Sequence, residues 1–153
     1  MNKKTILLLI IILLQGCGYV PTYSNLNLEN KKINIQIVNE QGDKDINQTI
    51  KFQLSKYNNI ISESKYLVSI KSNYEKIILS KNKVGSVDQY LLKSIVTFEV
   101  KFNDTIKIIT IEETANIKTI TDNFQESIYE RKIKQNFAST ISNKFLIELS
   151  FLS

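Results

Sequence analysis

Between residues 33 and 37 apolar and polar positions alternate, with Ile33, Ile35 and Ile37 set against Asn34 and Gln36. A period of two predicts a strand with one buried face. Gly42 and Asp43 break it, and from Asp45 the period lengthens. Ile46, Ile50, Leu54 and Tyr57 fall at helical spacing and predict one amphipathic helix, which Asn58-Asn59 can close. Strand chemistry returns over Lys65 to Leu79, where Tyr66, Val68, Ile70 and Tyr74 share a face interrupted by Ser72. Lys81 to Asp88, with Gly85, reads as an exposed hairpin loop. The clearest alternation of the chain follows over Tyr90 to Phe102: Val96, Phe98, Val100 and Phe102 against Thr97, Glu99 and Lys101. Asn103-Asp104 supplies turn chemistry, and Thr105 to Lys118, carrying Ile106, Ile108, Ile109 and Ile111, is the partner strand.

The last segment predicts a long helix. Asp122, with Gln125 three residues on, resembles a capping box. Phe124, Ile128, Ile133, Phe137, Ile141, Phe145 and Leu149 then recur mostly every fourth residue, and Ala138 and Leu146 widen the stripe. A helix of ~27 residues is about 40 Å long and would cross an entire four-stranded sheet. The order is β-α-β-β-β-α, an α+β fold with two helices packed on one face of a small four-stranded sheet. Residues 33–153 form its single domain.

The chain before that domain has a different character. Lys3 and Lys4 precede nine consecutive apolar residues, Ile6 to Leu14. Such a run is too short to span a bilayer, which takes about 20 residues, and suits the central part of a secretory signal peptide. It ends in Leu14-Gln15-Gly16-Cys17, which resembles the bacterial lipobox, with an unusual Gln in second place. Cys17 is the one Cys of the chain and stands where lipoprotein processing needs it. Residues 1–16 then form a lipoprotein signal peptide, Cys17 the lipidation site, and residues 17–32, which hold the single Pro, a lipidated tether. Several acyl chains anchor a protein stably without any spanning helix. Neither Gly18 nor Tyr19 is the Asp that retains bacterial lipoproteins in the inner membrane. The sorting rule therefore implies the inner leaflet of the outer membrane, facing the periplasm.

Composition narrows the function. The 153 residues include 20 basic and 15 acidic side chains, a net charge of +5, and 42% apolar residues, within the range of ordinary globular chains. The single Cys removes any internal disulfide and any Cys-cluster metal site. There is no His. That removes the commonest general base and metal ligand, so Ser-His-Asp and Cys-His chemistry cannot be built. The basic excess is modest and spread along the chain, and makes no nucleic-acid surface.

Candidate chemistry is sparse. Glu112 and Glu113 are adjacent on a strand, so they point to opposite faces and are poorly placed as an acid/base couple. No spacing of carboxylates promises the convergent pair that a hydrolase would need. Asp43 and Asp45 suit a helix start. Glu130-Arg131-Lys132 reads as a solvated helix face. Lys81 and Lys83 in the hairpin loop, with Lys93 on the next strand, could put three ammonium groups at one end of the sheet and hold phosphate as point charges.

The lipobox followed by Cys17-Gly18-Tyr19-Val20-Pro21 resembles the start of the lipopolysaccharide-assembly lipoprotein family (LptE). The later order also resembles that family: a strand before the helix Ile46 to Tyr57, the Tyr-leading strand Tyr66-Leu67-Val68-Ser69-Ile70, the strand Val96-Thr97-Phe98-Glu99-Val100, and a long closing helix with Ala138, Ile141 and Leu149. The sequence departs from the family at Ile117-Lys118-Thr119-Ile120, where an aromatic-rich stretch is usual, and in its Ala-poor final helix. The resemblance implies a non-enzymatic outer-membrane lipoprotein without cofactor or metal. It would plug, and help assemble, a large outer-membrane β-barrel partner (LptD-like) that inserts lipopolysaccharide into the outer leaflet. Lys81, Lys83 and Lys93 are its candidate lipopolysaccharide-binding residues by region. An auxiliary periplasmic lipoprotein of a lipid-transporting ABC system shares the same lipobox, size and α/β content, and would differ in its partner.

Overall fold

A computed structural model describes residues 33–58 and 65–151. The expected signal peptide, Cys17, the tether and Asn59 lie outside the described residues. The element order is β1 (Asn34–Gln41), α1 (Lys44–Leu54) with a 3-10 turn at Ser55–Tyr57, β2 (Lys65–Lys81), β3 (Val87–Phe102), β4 (Thr105–Lys118) and α2 (Asn123–Ser150). The sheet order is β1-β2-β3-β4, with β1 parallel to β2 and the other neighbours antiparallel. The α+β class and the β-α-β-β-β-α order are those the sequence predicts. The first helix is shorter than expected, because the chain tightens to 3-10 geometry before Tyr57.

Strand parity decides which face is covered. On β3, Leu92, Ser94, Val96, Phe98 and Val100 are buried and the intervening residues are not. On β2 the same holds for Tyr66, Val68, Ile70 and Ser72. These side chains form one apolar core with Ile46, Ile50 and Leu54 of α1 and Ile133, Phe137, Ile141, Phe145 and Leu149 of α2. Two stacked ring pairs belong to it, Phe98 on Phe145 at 4.1 Å within the core and Tyr66 on the half-buried Phe102 at 4.6 Å beside the Asn103-Asp104 turn. The other sheet face carries Thr97, Thr110, Lys93 and Glu112 together with the exposed Ile77, Ile106 and Ile108; on it Thr97 and Thr110 share a hydroxyl hydrogen bond, and Lys93 pairs with Glu112.

Both helix starts are capped as expected. Asp43 accepts from the Ile46 N–H, and Asp122 accepts from the N–H groups of Phe124 and Gln125. Gly42 is required where β1 gives way to α1. Its φ is +107°, and an added Cβ would stand 1.8 Å from the Ser72 carbonyl oxygen. The small Ser72 on the core face of β2 is therefore where the β1–α1 link crosses the sheet, its hydroxyl donating to Gln41 and Asp43 carbonyls.

This crossing ends the pairing of β1, whose register with β2 runs only from Asn34↔Lys65 to Gln41↔Lys71. Beyond it β2 continues to Lys81 with β3 alone as its neighbour. The 17 residues of β2 make a strand of about 55 Å. The hairpin loop between β2 and β3 thus lies at one end of the molecule, and the start of β1 and the Asn103-Asp104 turn lie at the other.

Candidate binding end of the molecule

The β2–β3 loop is built on Asn82. Its side-chain oxygen accepts from the N–H groups of Val84 and Ser86, and its main chain bonds Ser86 and Gly85. Gly85 takes φ +85°, a conformation open to glycine at little steric cost. The loop carries Val84 on its outside, 84% exposed. Ile78 and Leu79, on the last turn of pleat before the loop, are also exposed, as is Phe124 at the start of α2. Lys81 and Lys83 stand exposed among them, and among the described residues neither forms an ion pair. This end combines uncovered apolar side chains with two free ammonium groups.

Lys93 is not part of it. It faces Glu75 and Thr114 in the ladder and pairs with Glu112 at 2.9 Å on the open sheet face. It is six residues along β3 from Val87, the partner of Lys81, which is about 20 Å. Its charge is matched locally, so the expected three-lysine cluster reduces to Lys81 and Lys83.

Below the loop, α2 is held to the hairpin by charge. Lys76 projects from the core face of β2 and donates to Glu126 at 2.5 Å and Glu130 at 2.9 Å. Its ammonium also lies 4.5 Å from the centre of the Tyr90 ring, a favourable cation–π placement. Lys134 lies over Tyr74 at 4.2 Å and donates to Asp43 at 2.7 Å. Asp43 therefore caps α1 with one oxygen and binds α2 with the other.

The same seam shifts its ionisable groups. Burial first, and then the negative charges of Glu130 and Asp43, push the Tyr74 hydroxyl far above its ordinary value. Burial alone would raise Glu130, yet the hydrogen bond from Lys76 and the charges of Lys76 and Lys134 hold its carboxyl below the usual range. Burial likewise opposes the Lys76 charge, and Glu126 and Glu130 more than offset it, so Lys76 is raised.

Two expectations are corrected here. Glu130 is not on a solvated face, although Arg131 and Lys132 are exposed. Phe124 and Ile128 are not in the buried stripe; Phe124 is 68% exposed. The reason is angular. Each lies two residues before Glu126 or Glu130, about 200° around a helix of 3.6 residues per turn, so when the carboxylates face the sheet the apolar pair faces away. The five-residue step from Ile128 to Ile133 marked the break in the stripe. Parity could have found Lys76, which continues the core face of Tyr66, Val68, Ile70, Ser72 and Tyr74. A lysine on that face requires an acidic partner from the element packed over it.

Glu112 and Glu113 diverge as expected. The first pairs with Lys93 on the open face and the second with Lys144 of α2 on the covered face. Among the described residues no group of three or more acidic, His or Cys side chains could hold a metal ion, and no helix is long and apolar enough to cross a membrane.

The fold recurs in solved bacterial lipoproteins. Rare lipoprotein B of Shewanella oneidensis superposes with a TM-score of 0.58 at 13% identity, over 76% of this chain and 98% of that one. A lipoprotein of Caulobacter crescentus gives 0.52 at 10% identity, over 79% and 89%. Lipoprotein B of Nitrosomonas europaea gives 0.51 at 14% identity, over 75% and 83%. At such identities the likeness is one of fold. No family model matches the chain, and no curated protein matches it in sequence.

Proposed function

We propose that this chain is an outer-membrane lipoprotein, anchored through Cys17 on the periplasmic side, that plugs and helps assemble a β-barrel inserting lipopolysaccharide into the outer leaflet. The observation that carries the reading is the fold, a β-α-β-β-β-α sandwich of the kind found in solved lipoproteins of the rare lipoprotein B type. The lipobox ending in Cys17 agrees with it. So does the shape: the N-terminal end of β1, where the anchor would attach, is at the opposite end from the β2–β3 loop. An anchored domain of this form would present Val84, Lys81 and Lys83 away from its own membrane surface. The wide lumen of a transport barrel is polar, and the Lys93–Glu112 and Thr97–Thr110 pairs on the open face of the sheet suit it.

In this reading Lys81 and Lys83 meet head-group phosphates, each as a point charge. Lys93, already matched by Glu112, contributes to the sheet face and not to the lipid contact. The role involves binding and assembly, with no reaction catalysed.

Purification of the tagged, lipidated protein from its native membrane in mild detergent tests the proposal. A stoichiometric outer-membrane β-barrel is the expected partner. An inner-membrane ABC complex would overturn the plug and favour the auxiliary-lipoprotein role.

A further inference from the structure

β4 is an outer strand, paired with β3 along its whole length and, among the described residues, with no strand on its other side. In an antiparallel ladder successive residues turn their N–H and C=O groups to alternate neighbours. Thr119 donates towards β3, to the Asp88 carbonyl, and the two-residue turn pairs Phe102 with Thr105. Odd-numbered residues therefore serve β3. Ile106, Ile108, Thr110, Glu112 and Thr114 present their main-chain groups to the free edge.

That edge is lightly guarded. Thr105 to Thr114 contains no Pro or Gly, and of its three charges, Lys107, Glu112 and Glu113, the two carboxylates are paired with Lys93 and Lys144 of the same chain; Ile108 is 66% exposed. Such an edge is a template for another strand. Beside it runs an open groove lined by Lys107 to Glu112 of β4 and by Lys144, Ile147 and Glu148 of α2.

The geometry points to a second copy of this chain as the occupant, with β4 pairing antiparallel to β4 about a two-fold axis through Thr110. A two-fold axis normal to the sheet requires facing residues to share a face, so it must pass through a residue. At Thr110 the two threonines exchange main-chain bonds, Ile108 bonds Glu112, and Ile106 bonds Thr114, which uses the outward-facing set. On the helix-covered face Lys107, which has no ion pair of its own among the described residues, meets Glu113 of the second copy, twice by symmetry, adding a second ammonium group to a carboxylate that Lys144 already holds, and Ile109 meets Ile111. The neighbouring choices are poorer on that face or at the axis. An axis at Ile109 sets Lys107 against Ile111, one at Ile111 sets Glu113 against Ile109, and one at Glu112 sets that carboxylate against itself. The charge complementarity of β4 with its own reverse thus selects both the occupant and the register. This pairing does not depend on the transport role proposed above.

The test uses the full chain in detergent. Facing hydrogen-bonded residues lie about 5.5 Å apart at Cα, within disulfide reach. On oxidation, Thr110→Cys gives a dimer whose digest contains the peptide linked from position 110 to position 110. In analytical ultracentrifugation the wild type is expected to self-associate. Lys107→Glu weakens that association about ten-fold, and adding Glu113→Lys restores it. Thr110→Pro removes an outward donor while leaving the bonds to β3, and gives a monomer with an unchanged circular dichroism spectrum. A wild type that stays monomeric to roughly 100 µM overturns the proposal. So does a dimer indifferent to both Lys107→Glu and Thr110→Pro, or one cross-linked only at other positions.

Discussion

Near β1 the helices rest on rings and aliphatic chains: Phe145 on Phe98, with Ile46, Ile50, Ile141 and Leu149 wholly buried around them. Near the β2–β3 loop the same long helix rests on Lys76 and Tyr74 through Glu126, Glu130 and Lys134. The first half is held by non-directional burial. The second is held by directed, charged contacts that each need a specific partner. Apolar burial follows area, whereas breaking a half-buried ion pair strands its remaining charge. One helix thus joins a firmly packed half to a half whose attachment responds to pH, and the responsive half ends in the exposed Val84, Lys81 and Lys83.

The largest expected effect lies in the packed half. Phe145→Ala removes a fully buried ring stacked at 4.1 Å on Phe98 and should cost about 4 kcal/mol, read as a lower urea midpoint with unchanged slope. Gly42→Ala comes next. It forces a Cβ against the Ser72 carbonyl at a positive φ, and should cost about 3 kcal/mol while loosening the β1–α1 link in hydrogen exchange.

In the charged half, Glu130→Gln leaves Lys76 with a weaker partner and should cost about 2 kcal/mol near neutral pH. Hydrogen exchange should rise at β2 residues 74–80 and at the first turns of α2, and stay unchanged around Phe98. The pH dependence has the same origin. Glu130 is held below its ordinary 4.5, so its contribution is present above that value and is lost as pH falls through the folded value. Lys76 is held above its ordinary 10.5, so its contribution is complete below that value and is lost as pH rises through the folded one. The wild type should therefore keep a flat stability plateau between these limits, and Glu130→Gln should remove part of the acid decline. An acid limb identical in both proteins would show that the seam does not control this half. The smallest stability effect is expected at the loop: Val84→Ser with Lys81→Ala and Lys83→Ala should change stability by no more than about 0.5 kcal/mol, yet weaken capture of the proposed barrel or lipopolysaccharide.

The two halves also differ in how far the sequence revealed them. Periods of two and of about four are local properties, so the alternation from Val96 to Phe102 and the spacing of Ile46, Ile50 and Leu54 were enough to predict β3 and α1, and the caps at Asp43 and Asp122 set the helix starts. The charged half depends on partners far apart in the chain. Nothing beside Glu130 announces Lys76, and spacing alone extends the apolar stripe of α2 to Phe124 and Ile128 when the inward face there belongs to Glu126 and Glu130. The separation of Lys93 from Lys81 was legible only as a count of residues along β3, and its pairing with Glu112 required the register.

The mixed direction of the sheet also implies an order of assembly. Phe102 and Thr105 meet across a two-residue turn, and Lys81 and Val87 across a short loop. Asn34 and Lys65 are partners 65 − 34 = 31 positions apart, joined only after α1 has crossed over. Contacts between near neighbours close faster than distant ones, so β2, β3 and β4 should zip together first and β1 should dock last. Synthesis runs the other way. Of these four strands the one made first is the one paired last, and until β2 emerges its main-chain N–H and C=O groups have no strand beside them.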